Sequence, residues 1–72
     1  MNNKITKIYN LGRNIFTRRK ELGMSQNSLA EKLDISREHL AKIETAKRTV
    51  SLDLLIEIAD ALNTKVKDLI DF

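Results

Sequence analysis

The sequence of 72 residues contains no cysteine and no proline, and only two glycines and three aromatic residues. Without cysteine the chain can form neither a disulfide-stabilised secreted fold nor a zinc finger. A single histidine gives no basis for a histidine-rich metal site, so we expect no metal and no cofactor. The scarcity of proline and glycine favours helices joined by short turns, and the scarcity of aromatic residues indicates an aliphatic core.

A chain of 8.3 kDa is long enough for one small domain, residues 1–72, and too short for separate substrate and cofactor domains. A domain of this size buries only about 60% of its unfolded surface, so dimerisation is an expected source of further stability. The sequence has no run of about 18 apolar residues and no apolar signal-peptide core, and we expect a cytoplasmic protein. No pair of nucleophile and base can be proposed, so we expect no catalytic residues.

The net charge of +3 is distributed unevenly along the chain. Residues 1–20 hold six basic and no acidic side chains, residues 21–50 hold five of each, and residues 51–72 hold two basic and five acidic ones. Such a molecule would attract a polyanion to one end and repel it from the other. A solvated basic first helix explains the same pattern, and charge alone leaves both interpretations open.

The spacing of apolar residues predicts five helices that cover nearly the whole chain, and hence an all-α fold. The first spans about residues 5–22, and Gly23 stands where a left-handed C-terminal glycine belongs. Its apolar stripe, expected to face inward, consists of Ile8, Leu11, Ile15, Phe16 and Leu22. The second and third span about residues 26–33 and 37–45, and each follows a serine that is a suitable N-cap. The fourth and fifth lie within about residues 51–71, where either Thr49 or Ser51 is a suitable cap.

Two of the apolar stripes on these helices include a charged residue. Arg19 lies on the inward side of the first helix, four residues after Ile15. Glu44 lies on the inward side of the third helix, four residues after Leu40. Because the two charges are opposite, the buried anion can compensate the buried cation. The fourth helix is expected to face inward with Leu52, Leu55, Ile56, Ala59 and Leu62.

Residues 25–45 predict two short helices that are joined by about three residues and therefore cross at a steep angle. The small Ala30 stands at the expected crossing, and Ile35 fills the angle between the helices. This arrangement leaves one face of the third helix uncovered. The residues of that face are Arg37, Glu38, Ala41, Lys42 and Thr45. A polar ridge of this kind can enter the major groove of double-stranded DNA, which is about 12 Å wide.

The stretch Ser25–Ser36, continued by Leu40, Ile43 and Glu44, resembles the helix-turn-helix of the phage repressor and Cro family, the XRE-type regulators. The similarity covers about residues 11–70. It implies a compact five-helix lambda-repressor-like domain that binds operator DNA as a two-fold homodimer, with the third helix in the major groove. The implied function is a transcriptional regulator of bacterial or phage type, a repressor that reads a palindromic operator.

The resemblance places the base-reading positions at Arg37, Glu38 and Lys42, with His39 beside them. Arg37 can donate two hydrogen bonds to guanine, Glu38 can accept one from cytosine, and Ala41 can touch a thymine methyl group. For Glu38 and Lys42, which are four residues apart, an intrahelical ion pair is the alternative. His39 is equally expected as a surface residue or as a phosphate contact.

Phosphate contacts are expected from two segments that flank these positions. The resemblance assigns Gln26 to a phosphate at the start of the second helix, where the amide of Asn27 is also suitable. Lys47, Arg48 and Thr49 follow the third helix as further contacts to the DNA backbone.

Arg19 and Glu44 match the ion pair that joins the first and third helices in the family, a structural role. The chain departs from the family pattern in four places. These are Asp34 at the turn glycine, Thr45-Ala46 after the third helix, Val50 before the fourth helix and Lys65 before the fifth. Aspartate tolerates the left-handed conformation less well than glycine but better than most residues. None of the four positions belongs to the base-reading set.

Two roles are open for Val66, Leu69, Ile70 and Phe72, namely burial in their own monomer or the seam of a homodimer. We expect the seam, because so short a segment cannot hide four large apolar side chains. The alternative function is that of an antitoxin, which binds a toxin partner and autoregulates its operon, because such antitoxins share the fold. Co-purification of a partner protein would distinguish this alternative from a regulator that acts alone.

Overall fold

The computed structural model describes residues 3–71 and contains five α-helices. They are α1 (Asn3–Glu21), α2 (Gln26–Leu33), α3 (Arg37–Glu44), α4 (Leu52–Ala61) and α5 (Val66–Leu69). Residues 3–71 include no β-strand, and the predicted all-α architecture of five helices is confirmed. Within this range no helix has both the length and the apolar character that a membrane-spanning segment needs.

Serine caps set the beginnings of the three central helices. Ser25, Ser36 and Ser51 each accept a hydrogen bond on the side-chain hydroxyl from the backbone N–H three residues later, at 3.0, 3.0 and 3.2 Å. Ser51 rather than Thr49 therefore caps α4. Lys65, which precedes α5, makes no side-chain cap bond, and α5 is only four residues long. Side-chain caps of this kind typically contribute about 0.5–2 kcal/mol to stability.

One residue in the left-handed conformation follows each of the helices α1 to α4. Gly23 and Asn63, with φ of 69° and 54°, adopt this conformation after α1 and α4. Asp34, at φ 57° and ψ 41°, adopts it at the turn between α2 and α3. Ala46 has φ 61° in the turn after α3, although its Cβ makes this conformation unfavourable. Both departures from the family pattern in these turns therefore keep a glycine-like backbone.

The core is aliphatic, as predicted from the scarcity of aromatic residues. Its buried members are Ile15, Leu29, Ala30, Leu33, Leu40, Ile43, Leu55, Ile58, Ala59, Leu62 and Leu69. Three residues that were predicted to face inward are instead exposed, namely Leu22, Leu52 and Ile56. Leu22 lies just after the end of α1. In α4 Asp53, Glu57 and Asp60 recur at spacings of four and three and form one polar stripe. Ile58 lies on the opposite side and is buried, whereas Ile56 lies beside the stripe and is exposed.

Two side chains of α1 hold the C-terminal part of the chain in place. The side-chain amide of Asn14 donates to the carbonyl oxygen of Leu69 at 2.8 Å, and Arg18 Nε donates to that of Leu62 at 3.0 Å. Arg18 Nη2 also donates to the carbonyl oxygen of Asn63 at 3.2 Å. Arg18 therefore satisfies carbonyl groups at the C-terminal end of α4 that lack partners within the helix.

The expected dimer seam needs a correction at Leu69. The side chain of Leu69 is buried in the core of its own monomer, because α5 packs against α1 and α4, so it is not available to a second chain. Val66 is half-buried and packs against the same core, whereas Ile70 is exposed. Phe72 lies outside the described residues.

Gly12 allows α1 to cross α3 at very short distance. A Cβ atom placed on Gly12 would lie 2.6 Å from the carbonyl oxygen of Ile43 and 2.7 Å from that of Glu44. These neighbours are backbone atoms near the end of α3, so they cannot move aside as a flexible side chain would. The absence of a side chain at Gly12 therefore fixes how closely α1 and α3 approach.

We predict that Gly12→Ala lowers the free energy of unfolding by about 1–3 kcal/mol, as expected for overpacking against rigid neighbours. Alanine has a more favourable helix propensity than glycine by about 1 kcal/mol. The predicted loss therefore requires that the clash cost more than this gain in propensity. Urea denaturation followed by circular dichroism measures the effect. Thr17→Ala, at an exposed position of the same helix, is the control and should change stability by less than about 0.5 kcal/mol. A Gly12→Ala protein as stable as this control would contradict the prediction.

Candidate nucleic-acid interface

The residues of α3 divide into a buried side and a solvent-facing side. Leu40, Ile43 and Glu44 are buried, and they hold the helix on the core. On the opposite side Arg37, Glu38, Lys42 and Thr45 are exposed, while His39 and Ala41 are half-buried. Arg37, Glu38 and Lys42 thus turn to solvent on a helix whose eight residues span about 12 Å, and Thr45 follows them at the C-cap.

The turn between α2 and α3 sets the angle at which α3 leaves the core. Ala30 is buried in α2, and its carbonyl oxygen accepts a hydrogen bond of 3.0 Å from the backbone N–H of Ile35. Asp34 reverses the chain in the left-handed conformation, and Ile35 packs, half-buried, against the core. The predicted roles of Ala30 and Ile35 in this turn agree with the structure.

A buried ion pair connects α3 to α1. Arg19 Nε donates to Glu44 Oε2 at 2.7 Å, and Arg19 Nη2 donates to Glu44 Oε1 at 3.0 Å. The two side chains are only 6% and 2% exposed. Arg19 Nη1 donates to the carbonyl oxygen of Met24 at 2.8 Å, and the guanidinium lies 5.2 Å from the ring centroid of Phe16. The pair is therefore bidentate, and further contacts occupy the remaining side of the guanidinium.

Gln26 extends this pair to the surface of α3. Its Nε2 atom donates to Glu44 Oε1 at 3.0 Å, and its Oε1 atom accepts from Arg37 Nη1 at 3.5 Å. The sequence predicts a phosphate contact for Gln26, but it predicts neither of these two hydrogen bonds within the protein. The sequence pattern placed Gln26 only at the start of α2, and nothing in it indicated a bond to the third helix. In the structure one N–H of its amide is left for a ligand.

The other predicted contact residues lie on the surface. Asn27 is exposed in the first turn of α2, and Lys47, Arg48 and Thr49 are exposed after α3. Among the described residues, Glu38 and Lys42 take part in no ion pair, so the alternative of an intrahelical pair between them is not formed. Both side chains are thus available to an external partner.

Comparison with known families identifies the group to which this chain belongs. The family profile described as Helix-turn-helix matches residues 15–69, which is well over half of the chain. This protein belongs to the helix-turn-helix family. The match includes α2 and α3 in full, and hence the exposed side of α3 described above.

Relatives with known names agree with this assignment. Control protein C.BamHI of Bacillus amyloliquefaciens is 45% identical over 49 residues, which are 68% of this chain and 60% of that protein. This chain thus spans less than two thirds of the length of that relative. Among solved structures, the restriction-modification controller protein C.AhdI of Aeromonas hydrophila has a TM-score of 0.85 at 26% identity, over 89% of this chain and 97% of C.AhdI.

A second solved structure, the clp gene regulator ClgR of Corynebacterium glutamicum, has a TM-score of 0.88. It is 28% identical, and the similarity covers 90% of this chain and 83% of ClgR. These proteins are regulators or controllers by name, and their similarity to this chain extends well beyond the two helices of the motif.

We predict that Arg19→Met lowers the free energy of unfolding by about 3–5 kcal/mol, because it leaves the Glu44 carboxylate buried without its partner. Chemical denaturation measures the loss. Lys20→Met, at the exposed neighbouring position, is the matched control and should change stability by less than about 0.5 kcal/mol. The double variant Arg19→Met/Glu44→Leu should regain most of the lost stability, because it removes both charges. A double variant no more stable than Arg19→Met would contradict this account.

Proposed function

We propose that this protein is a sequence-specific DNA-binding transcriptional regulator that reads operator bases with the exposed side of α3. The observation that carries the proposal is the division of α3 into a side anchored in the core and a polar side turned to solvent. An α-helix with its side chains is about 10–12 Å in diameter, which fits a major groove about 12 Å wide. The family and the named regulators among the relatives support the same function.

The side chains of α3 supply the donors and acceptors that base recognition requires. Arg37 stands at the first position of the helix, where its guanidinium can donate two hydrogen bonds to O6 and N7 of guanine. Glu38 can accept from N4 of cytosine, and Lys42 adds a further donor one turn later. Ala41 offers a methyl group to thymine. His39 lies at the edge of this set and is assigned to a phosphate.

The positions that flank α3 supply contacts to the DNA backbone. The proposed phosphate contacts are Asn27, Lys47, Arg48, Thr49 and the remaining N–H of Gln26. Backbone contacts of this kind fix the register of a protein on the duplex without reading its sequence. The six basic residues within residues 1–20 add a sequence-independent attraction, whereas the acidic C-terminal part opposes it.

We assign the protein a homodimeric state, in which two copies of α3 lie about 34 Å apart and read a palindromic operator in successive major grooves. Exposed apolar side chains on the C-terminal half of the chain support this state. Leu52, Ile56 and Ile70 are 67%, 45% and 45% exposed, so they offer apolar surface to a second copy. We place the seam at Ile70 and the exposed part of Val66, with Leu69 excluded because it is buried in its own chain.

Control of a restriction–modification system is a more specific candidate for the regulated genes. It is favoured by the similarity to the controller C.AhdI, which extends over nearly the whole of that chain. Footprinting of the purified protein on DNA from its own locus tests this candidate, which requires protection upstream of a methyltransferase or nuclease gene. The antitoxin alternative stays a prediction, to be tested by co-purification of a partner protein.

We predict that Arg37→Ala weakens binding to the selected operator by about 1–3 kcal/mol and relaxes the preference at one base pair of each half-site. Its effect on random duplex DNA should be much smaller. Lys47→Ala is the matched control, because loss of a phosphate contact should weaken binding to both duplexes by the same factor. Fluorescence anisotropy measures the affinity of each variant relative to that of the unaltered protein, on the operator and on the random duplex. Equal losses on both duplexes for Arg37→Ala would contradict its role in reading a base.

We predict that Ile70→Glu shifts the monomer–dimer equilibrium toward the monomer, because a carboxylate would be buried in the apolar seam without a partner. Sedimentation equilibrium measures the dissociation constant of the dimer. Ile5→Glu, at an exposed apolar position of α1, is the control and should leave the equilibrium unchanged. A shift caused by Ile5→Glu and not by Ile70→Glu would move the seam to α1 and contradict the proposal.

A further inference from the structure

We propose that the buried carboxylate of Glu44 sets the position of Arg37, through Gln26, and so contributes to base discrimination without touching DNA. Gln26 is the connecting residue, and both residues act as positioning residues for Arg37. The inference rests on the proposed function, because it concerns how the base-reading side chain is held.

The first step is the orientation of the Gln26 amide. Glu44 Oε1 accepts hydrogen bonds from Arg19 Nη2 and from Gln26 Nε2, both at 3.0 Å. An ionised carboxylate only accepts hydrogen bonds, whereas the amide of Gln26 has a donor end and an acceptor end. The donor end of Gln26 must therefore face Glu44. Because Arg19 holds Glu44 by two bonds in a buried site, the amide cannot reverse without losing a bond to a fixed partner.

The second step is the acceptor that this orientation creates on the surface. With its Nε2 atom turned to Glu44, Gln26 presents Oε1 to Arg37 Nη1 at 3.5 Å, a long hydrogen bond. Arg37 carries a cation at the N-terminal end of α3, where the helix dipole is unfavourable to positive charge. A carbonyl oxygen at that point offsets part of this repulsion. It also restricts where the guanidinium lies before DNA arrives.

The third step is the consequence for recognition. Arginine has a flexible stem, and ordering such a side chain on binding opposes association. A guanidinium that one hydrogen bond already restrains keeps its Nε and Nη2 donors for a bidentate contact with guanine. Reversal of the Gln26 amide would place a donor against a donor and push Arg37 away. Discrimination at one base pair thus depends on a carboxylate inside the protein.

Gln26→Met tests the connection, because methionine keeps the length of the side chain and removes both hydrogen bonds. At the base pair whose preference Arg37→Ala relaxes, we expect Gln26→Met to reduce discrimination by about two- to tenfold. Affinity for random duplex DNA should fall about as much as in Asn27→Ala, because each variant loses one phosphate contact. Asn27→Ala is the matched control on the same helical turn and should weaken both duplexes equally. Equal loss on both duplexes for Gln26→Met would overturn the proposal and leave Gln26 a phosphate contact.

The double variant Gln26→Met/Arg37→Ala shows whether Gln26 acts through Arg37. We expect the double variant and Arg37→Ala to discriminate equally at this base pair, because Gln26 acts only through the guanidinium of Arg37. Independent, additive losses of discrimination would overturn the proposal. Glu44→Gln, checked for native circular dichroism, should reduce discrimination at the same base pair. Discrimination unchanged in a folded Glu44→Gln protein would overturn the role of Glu44.

Nuclear magnetic resonance of the free protein tests the restraint without DNA. We expect the side-chain Nε–H of Arg37 to have a higher order parameter in the unaltered protein than in Gln26→Met. Identical order parameters would overturn the proposal whatever the DNA results are. If Arg37→Ala proves to have no base-specific effect while this difference is found, the proposed base-reading function fails and the restraint itself stands.

Discussion

The position of α3 depends on one buried charge that has to be neutralised. A carboxylate as deeply buried as that of Glu44 is strongly unfavourable unless a cation and hydrogen bonds compensate it. Arg19, whose Nε atom lies 2.7 Å from Oε2 of Glu44, supplies the cation, and Gln26 adds a further hydrogen bond. Gly12 makes this geometry possible, because α1 crosses the end of α3 where a side chain would strike backbone oxygens. The ion pair and the glycine together thus fix where α3 lies relative to α1.

In α3 the residues that stabilise the fold and the residues that face solvent lie on different sides of the helix. Leu40 and Ile43 secure the underside of α3, and the serine cap and left-handed Asp34 determine where the helix begins and how it leaves the core. Because none of these contacts uses the exposed side, residues there can be exchanged with little effect on folding. The chemistry of the exposed side is therefore set by the ligand rather than by the core, as expected for a surface that selects among DNA sequences.

Much of this organisation follows from local features of the sequence. The serine caps, the left-handed ends at Gly23 and Asn63 and the charges on two apolar stripes each have a short-range signal, and the structure contains all of them. The stripe of Asp53, Glu57 and Asp60 is a further short-range signal, which places Ile58 rather than Ile56 on the buried side of α4. Other features depend on how helices meet. A short terminal helix gave no indication that Leu69 would be buried.

At the candidate site, too, local features follow from the sequence and long-range contacts do not. The exposed residues of α3 follow from the helical period and from the crossing of α2, both of which are local. The close approach at Gly12 and the bond from Gln26 to Glu44 join residues that are far apart in the chain, and no pattern of spacing encodes them. The most direct measurement is an intermolecular nuclear Overhauser experiment on the labelled protein bound to a duplex selected from a random pool. The account predicts contacts from the Ala41 methyl group to major-groove base protons. Contacts confined to α1 or α4, with none from α3, would contradict it.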